Sequence, residues 1–318
     1  MFSWKPMEMI GMPLDSMGKA MVVTLKCDRE LALVAAGDTA TAVLLDTAQT
    51  CTLLQGEGQV AAVALTPEFG LLAAVRGEKL NAPGSGGQPR GMLHVWHVPS
   101  MQEAWSAPAG PLIEFSRDGQ VLASLGPAGV QSWHGADGTP LASVDWRGLK
   151  TRPHGMAVSP DGSWTAVAGP GVWLVSTAGE VRQLAAGEDV QDAHSVVFSP
   201  GGTLLAARCA DGTIRLWDTG SGSEVRRWEF PTQFVRDPLA FTADGGLLAV
   251  ASAGSIGGVY FWDLETGAEV GRLSAEYPQM APTAGANRVA ISAGAELVVF
   301  AYLRPQEVQL LAWRIEES

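Results

Sequence analysis

The five histidines are the residues of this chain best suited to bind a metal ion or to move a proton. They are His94, His97, His134, His154 and His194. His94 and His97 share one predicted strand but point to opposite faces, so they cannot hold one metal ion together without a bulge. We expect the histidines at turns or strand ends, bonded to backbone carbonyls, and we predict no metal ligand. A zinc ion held by scattered histidines is the alternative.

No catalytic motif accompanies these histidines. Asp118, Asp161 and Asp244 lie in predicted turns, where an aspartate caps a hairpin. The sequence has no Gly-x-Ser-x-Gly elbow, no phosphate-binding loop, no dinucleotide fingerprint and no His-Glu-x-x-His pair. We therefore predict no catalytic and no cofactor-binding residue, and no cofactor.

A turn signature repeats along the chain at intervals of about 40 to 50 residues, close to the period of a propeller blade. Its form is a serine or threonine, then any residue, then Asp or Gly followed by Gly. The clearest copies begin at Thr66, Ser116, Ser159, Ser199 and Thr242, and weaker copies begin at Cys27 and Ser292. Because Asp-Gly and Gly-Gly pairs supply the positive φ of tight hairpins, each copy predicts two short strands joined by a turn.

One large apolar residue recurs late in each repeat. These residues are Leu45, Trp96, Trp133, Trp173, Trp217, Trp262 and Trp313, with Val175 as an alternative to Trp173 in the fourth repeat. Placement once per repeat favours packing between blades over stacking on a cofactor.

The predicted inner strands of the repeats are apolar or small. They are Val60–Leu65, Leu112–Phe115, Gly155–Val158, Ser195–Phe198, Leu239–Phe241 and Val289–Ile291. Glu114 is the only carboxylate inside them, and one acid cannot supply the pair that hydrolysis of a glycoside or lactone needs. We predict a protein that is not an enzyme. The alternative is a propeller hydrolase, similar to a lactonase, with its site in the central channel, where converging His, Asp and Glu side chains would favour it.

Two segments carry a resemblance to a known family. Asp211–Asp218 (DGTIRLWD) and Val259–Gly267 (VYFWDLETG) look like the third strand of a WD40 repeat, and the turns resemble the first hairpin of that family. Ala207 stands where the family often has the serine of a buried hydrogen-bond network, and His194 lies later than the family's Gly-His pair. The resemblance covers roughly residues 21–318 and implies a protein-binding platform whose blades rely mainly on apolar packing.

The predicted fold class is all-β, a seven-bladed β-propeller of four-stranded antiparallel blades. The chain is predicted to form one domain over residues 1–318. Residues 1–20 are predicted to close the ring as the outer strand of the last blade, with Met7–Leu14 as the segment best placed to do so. The predicted blades span 21–56, 57–107, 108–146, 147–187, 188–229, 230–274 and 275–318.

Charge and composition limit the classes of partner that the protein is expected to bind. A net charge of −12 argues against nucleic acid and anionic membranes. No window is apolar enough for a membrane span, and three cysteines do not make a disulfide framework, so we expect a cytoplasmic protein. A high share of arginine over lysine, with abundant alanine and glycine, indicates a bacterial genome.

The loops between blades are the predicted binding surface. Several are longer than a turn requires and carry arginine or aromatic side chains, the types that contribute most to interface energy. The predicted partner-binding residues are Arg147, Arg152, His154, Phe234, Arg236, Tyr277 and Met280. We expect a monomeric propeller that binds another protein or peptide within a larger complex.

Overall fold

The structure is a computed structural model of the 318-residue chain. It describes residues 2–6, 10–13, 22–28, 31–56, 58–77, 91–98, 100–126, 128–145, 153–186, 192–230, 238–252, 258–274, 288–292, 294–303 and 307–317. These residues form strands, turns and connecting segments, and none of them belongs to a helix that could cross a membrane.

The described residues form 29 strands. In chain order they are β1 (Phe2–Pro6), β2 (Ile10–Pro13), β3 (Val22–Asp28), β4 (Leu31–Ala36), β5 (Thr39–Leu44), β6 (Gln49–Leu54), β7 (Gln59–Leu65), β8 (Leu71–Gly77), β9 (Gly91–His97), β10 (Gln102–Ala109), β11 (Leu112–Phe115), β12 (Val121–Gly126), β13 (Gly129–His134), β14 (Pro140–Val144), β15 (Gly155–Val158), β16 (Trp164–Gly169), β17 (Gly171–Ser176), β18 (Val181–Ala186), β19 (Ala193–Phe198), β20 (Leu204–Cys209), β21 (Thr213–Asp218), β22 (Glu224–Glu229), β23 (Leu239–Phe241), β24 (Leu247–Ser252), β25 (Gly258–Asp263), β26 (Glu269–Ser274), β27 (Arg288–Ile291), β28 (Leu297–Leu303) and β29 (Glu307–Glu317).

The strands pair as seven antiparallel sheets, so the predicted seven-bladed β-propeller is confirmed. Blade 1 is β3–β6, blade 2 is β7–β10, blade 3 is β11–β14, blade 4 is β15–β18, blade 5 is β19–β22 and blade 6 is β23–β26. Blade 7 contains β27, β28 and β29 together with β1 and β2. The outer strand β10 ends at Ala109, two residues beyond the predicted blade boundary at 107.

The chain divides into two compact units. The first contains residues Met1–Gln55 and Thr232–Ser318, and the second contains Gly56–Pro231. Blades 6, 7 and 1 belong to the first unit, and blades 2 to 5 belong to the second. In the second unit the first strand of each blade contacts that of its neighbour, which makes β7, β11, β15 and β19 the inner strands.

The N-terminal strands complete blade 7 inside the first unit. β1 pairs antiparallel with the end of β29, from Trp4 opposite Ile315 to Pro6 opposite Trp313. β2 pairs with the beginning of the same strand, with Ile10 opposite Leu310. The predicted N-terminal outer strand of the last blade is therefore confirmed, and it consists of two short pieces on one long partner strand. Of the predicted segment Met7–Leu14 the structure describes Ile10–Pro13, which is β2, whereas β1 precedes that segment.

The repeated turn is held by two hydrogen bonds of one hydroxyl side chain. In blade 4 the hydroxyl of Ser159 accepts a hydrogen bond from the Trp164 amide at 2.9 Å and donates one to Asp161 at 2.6 Å. Ser116 and Thr242 make the same pair of contacts in blades 3 and 6. The glycine that follows has a φ of 71° at Gly162, a conformation that other residues adopt at a cost. This turn fixes the register of each inner hairpin.

Apolar packing between blades forms the core. The second strands of the blades are short runs rich in alanine, valine and leucine, and both faces of these strands are buried. Trp217 is 1% exposed and packs in one cluster with Ala157 and Ala166 of blade 4. Trp133 similarly packs against residues of blade 2. These contacts are the predicted blade-to-blade packing.

The strand register resolves the alternative in the fourth repeat. Trp217 lies opposite Leu205, six residues after the turn residue Ser199, and Val175 lies opposite Thr165, six residues after Ser159. Val175 therefore holds the position of the repeated tryptophan in blade 4, and Trp173 precedes it by two residues on the same strand.

Candidate functional site

Two histidines occupy matching positions at the beginning of neighbouring inner strands. His154 immediately precedes β15, and its amide donates to the Ala168 carbonyl at 2.7 Å, which extends the ladder by one residue. His194 is the second residue of β19. Each histidine lies four residues before the last residue of its strand, Val158 or Phe198. The repeat therefore brings both imidazoles to the same end of the inner strands.

A β-bulge orients His194. Ala193 pairs with Cys209 and Ser195 pairs with Arg208, so the register of the ladder shifts by one residue at His194. A bulge redirects the side chain of its extra residue and often lies beside a functional site. The sequence analysis began this strand at Ser195 and so left His194 outside it.

Glycine at position 155 lets the two strands approach closely. A Cβ atom at Gly155 would lie 2.4 Å from the carbonyl oxygen of His194. No real side chain tolerates that contact without a shift of the backbone. Gly155 therefore permits the short distance between blades 4 and 5 at the level of the two histidines.

Asp192 lies between the two histidines. Its Oδ2 is 3.0 Å from Nε2 of His154, a hydrogen bond, and 3.9 Å from Nε2 of His194. The imidazole rings stack with their centroids 4.5 Å apart and an angle of 21° between their planes. One ligand atom from each of the three residues lies within 4.8 Å of the other two. We call these three residues the His-Asp-His cluster.

The cluster is partly shielded from water. The exposed fractions of its side chains are 24% for His154, 27% for Asp192 and 13% for His194. The Asp192 backbone carbonyl accepts a hydrogen bond from the Ala210 amide at 2.7 Å, which fixes the residue against β20. Its side-chain Oδ1 is buried and has no hydrogen-bond partner among the described residues.

Comparison with known proteins identifies the repeat that supplies two of the three residues of this cluster. The family model for the WD domain, G-beta repeat, matches residues 183–218, which include Asp192 and His194. The chain is a β-propeller that carries a WD40 repeat. A chain in the crystal structure of the mitotic checkpoint complex has the same fold, with a TM-score of 0.73 over 100% of this chain and 94% of that one. The two share 14% identity, so that likeness shows the fold alone.

Relatives by sequence match a short part of this chain. Eukaryotic translation initiation factor 3 subunit I of Coccidioides immitis (strain RS) is 42% identical over 76 residues, which are 23% of this chain and 22% of the relative. WD repeat-containing protein 91 homolog of Dictyostelium discoideum is 34% identical over 73 residues, 23% of this chain and 9% of the relative. The chain thus spans less than a quarter of the length of either relative. Both come from eukaryotes, so the predicted bacterial origin is not supported.

Charged side chains inside the WD40 repeat of blade 5 serve its structure. Arg208 is fully buried and donates to the carbonyls of Cys209, Thr213 and Phe230 at 3.0 to 3.1 Å. Its guanidinium also lies 5.0 Å from the centre of the Phe230 ring. These contacts join three backbone segments, because every carbonyl belongs to a different part of the blade.

Arg215 forms a second internal network in blade 5. It is 2% exposed and pairs with Asp211 and with Glu224. Burial by itself raises the pKa of Asp211, but hydrogen bonds from Thr213 and Arg215 outweigh it and lower that pKa overall. The buried arginine and its acids therefore hold β21 and β22 together.

The turn acids bond within their own turns, and the thiol of Cys209 is buried. A hydrogen bond from the Thr242 hydroxyl, together with one from the Gly246 amide, lowers the pKa of Asp244. Burial, together with the nearby charge of Asp211, raises the pKa of the Cys209 thiol to about 12, so it stays protonated and is a poor nucleophile. Glu114 lies half-buried on β11 between Ile113 and Phe115.

Of the predicted partner-binding residues, the structure describes one. His154 lies at the beginning of β15, in contact with Asp192 and His194. The others lie outside the described residues; they are Arg147, Arg152, Phe234, Arg236, Tyr277 and Met280. His154 is among the predicted partner-binding residues, Asp192 belongs to no predicted site, and His194 enters only the alternative of a zinc ion held by scattered histidines. His154 and His194 each lie four residues before the end of an inner strand, and this shared spacing was the signal that could have linked the two histidines.

The cluster is equipped for two kinds of chemistry. Two imidazole nitrogens and a carboxylate oxygen are ligands that transition metals accept. The same groups can pass a proton along the hydrogen bond between His154 and Asp192. In either case the reacting groups lie at the end of the inner strands where β15 and β19 begin.

Proposed function

We propose that this protein is a non-enzymatic interaction subunit, which binds another protein or peptide through the connections between its blades. It acts as a monomeric propeller within a larger cytoplasmic complex, without a nucleic-acid or membrane partner. The observation that carries this proposal is the internal use of its charged groups. Asp161 and Asp244 cap their own turns, and Arg208 and Arg215 are buried in blade 5.

Two further points support a protein partner. The relative from Coccidioides immitis is, by its name, a subunit of an initiation factor, which is a multi-subunit assembly. The net charge of −12 opposes binding to nucleic acid or anionic lipid, since both would be repelled. The connection that ends at His154 carries Arg147 and Arg152, so it offers a cationic contact in an acidic protein.

Affinity capture with matched variants tests the proposal. The full chain is immobilised and exposed to an extract of its source cells, and bound proteins are quantified by mass spectrometry. An Arg147→Ala/Arg152→Ala variant should lose the main captured protein, because truncating central anchors costs about 2 kcal/mol or more each. Phe234→Ala/Arg236→Ala and Tyr277→Ala/Met280→Ala test the other two connections separately.

The control for capture is Arg227→Ala. Arg227 lies on the outer strand β22, is 51% exposed and pairs only at the surface with Glu224. This variant should capture the same protein as the wild type. If the three connection variants all stay folded and capture as the wild type does, the partner does not bind through these connections.

A hydrolase is the second candidate, because the His-Asp-His cluster places a carboxylate and two imidazoles together. Such a group could activate water for attack on a lactone or ester. The test is hydrolysis of a panel of lactones and aryl esters by the full chain, with and without added zinc. A turnover that His194→Ala abolishes and His97→Ala leaves intact would replace the interaction proposal with an enzyme.

A further inference from the structure

We propose that His154, Asp192 and His194 form a binding site for one divalent transition-metal ion of the zinc class. The site contributes two imidazole nitrogens and one carboxylate oxygen. Imidazole ligands favour zinc, copper and nickel, whereas calcium and magnesium require mostly oxygen ligands. The donor set therefore selects a transition metal, and it leaves a fourth position for water.

The distances fit a single ion. Ligands about 2.0–2.1 Å from a tetrahedral zinc ion lie about 3.4 Å from one another. Asp192 Oδ2 is 3.0 Å from the nitrogen of His154 and 3.9 Å from that of His194, and these values bracket the ideal separation. All three ligand atoms lie within 4.8 Å of one another. The three ligand atoms are thus close enough together to share one ion.

The backbone holds the ligands in place before any ion binds. His154 is tied to Ala168, Asp192 is tied to Ala210, and His194 is fixed by the bulge between Ala193 and Ser195. Fixed ligand positions reduce the ordering that binding would otherwise require. The three residues come from two adjacent blades, so an ion would join β15 to β19.

The state of Asp192 also points to a cation. Its Oδ1 atom is buried and has no hydrogen-bond partner among the described residues. Buried carboxylate oxygens are normally paired, and one that is not indicates a missing ion or water. The two stacked imidazoles also lie beside the same carboxylate. One ion could therefore bind Asp192 and both histidines.

A hydrogen-bonded cluster without metal is the competing explanation. In that case Asp192 would hydrogen-bond both rings, and its bond to His154 is already present. This explanation and the metal site predict opposite results for zinc binding. A zinc titration therefore distinguishes the two explanations, whether or not the protein has the proposed interaction function.

Titration of the chelator-treated, dialysed full chain with zinc tests the site. Isothermal titration calorimetry should give one ion per chain. His194→Ala and the nearly isosteric Asp192→Asn should each weaken binding at least tenfold, since even residues that only support metal ligands have effects of about 10- to 100-fold. His97→Ala, which removes an exposed histidine of blade 2, should bind as the wild type does.

Cobalt(II) provides a readout that a change in folding does not mimic. The wild type and His97→Ala should show the intense visible bands of four-coordinate cobalt, and Asp192→Asn should lose them while keeping its far-ultraviolet circular dichroism. No zinc binding by the wild type would overturn the proposal. Equal binding by the wild type, His194→Ala and Asp192→Asn would overturn it as well, because the ion would then lie elsewhere.

Discussion

Blades 2 and 3 and blades 4 and 5 have similar cores but different residues where their inner strands begin. Trp133 packs between the first pair and Trp217 between the second, each among alanines and valines. At the position four residues before the strand end, blades 2 and 3 have Ala61 and Pro111. Blades 4 and 5 have His154 and His194 there. The same packing thus accommodates inert residues in one pair and a His-Asp-His cluster in the other.

The bulges make this comparison close. The register shifts at Ala61 between Val60 and Ala62, just as it shifts at His194 between Ala193 and Ser195. This position therefore carries an apolar residue in blade 2, where Ala61 belongs to the packed core, and a polar residue in blade 5.

The largest effect should come from the shared core. Trp133→Ala and Trp217→Ala each remove a large buried side chain and should lower the free energy of unfolding by about 3–5 kcal/mol. Urea titration followed by circular dichroism measures both. Trp96→Ala should cost less, because that ring is only partly buried. The losses in unfolding free energy of Trp133→Ala and Trp217→Ala should be closer to each other than to the loss of Trp96→Ala. If they are not, the two blade pairs do not share one packing scheme.

A smaller loss of stability should follow when a core residue that differs between the two blade pairs is substituted. Arg208 of blade 5 and Val75 of blade 2 hold equivalent positions on the second strand, three residues after Leu205 and Leu72. Arg208→Val should destabilise the protein by about 2–4 kcal/mol, because buried carbonyls at Cys209, Thr213 and Phe230 lose their donor.

The control for this substitution is Arg227→Val on the surface of the same blade. It should change the unfolding free energy by less than about 1 kcal/mol, as expected for an exposed ion pair. Equal stability of Arg208→Val and the wild type would show that apolar packing alone suffices at this position, as in blade 2.

The amino-acid sequence was sufficient to predict the blades because their signals are local. Each turn hydroxyl, such as that of Ser159 or Ser199, accepts a hydrogen bond from the amide five residues later, and a large apolar residue recurs once per repeat. The cluster depends on non-local geometry. Asp192 and His194 lie 38 and 40 residues after His154, and their meeting requires the bulge at His194 and the close approach at Gly155. Neither feature has a signature in the pattern of apolar residues.

The smallest expected effect concerns the turns. Asp161 caps the turn of blade 4, whereas Gly201 occupies the same place in blade 5. Asp161→Ala should cost about 1 kcal/mol at pH 7, the net value of a hydrogen bond. Although burial alone would raise it, the pKa of Asp161 is lowered overall by hydrogen bonds from Ser159 and Ser163. A depressed folded pKa contributes stability that is fully present above the unfolded value of about 3.8, so the cost should shrink below that value and disappear as the pH falls through the lower folded pKa.

The reciprocal variant sharpens the comparison of the two turns. Gly201→Asp should stabilise blade 5 by up to about 1 kcal/mol, because the new carboxylate can accept from the same turn positions. A Cβ atom at Gly201 meets no atom within 4 Å. Thermal melts at pH 7 and pH 3 measure both variants. A loss of stability in Gly201→Asp at pH 7 would mean that the two turns are not equivalent.

Anomalous diffraction from a crystal grown with equimolar zinc tests the difference between the blade pairs most directly. Data collected on both sides of the zinc absorption edge locate the ion without reference to any assumed ligand. We expect one peak among His154, Asp192 and His194, at about 2.0–2.1 Å from two imidazole nitrogens and one carboxylate oxygen, and none beside Ala61 or Pro111. A map without a peak at the cluster, or with its only peak elsewhere, would contradict the account.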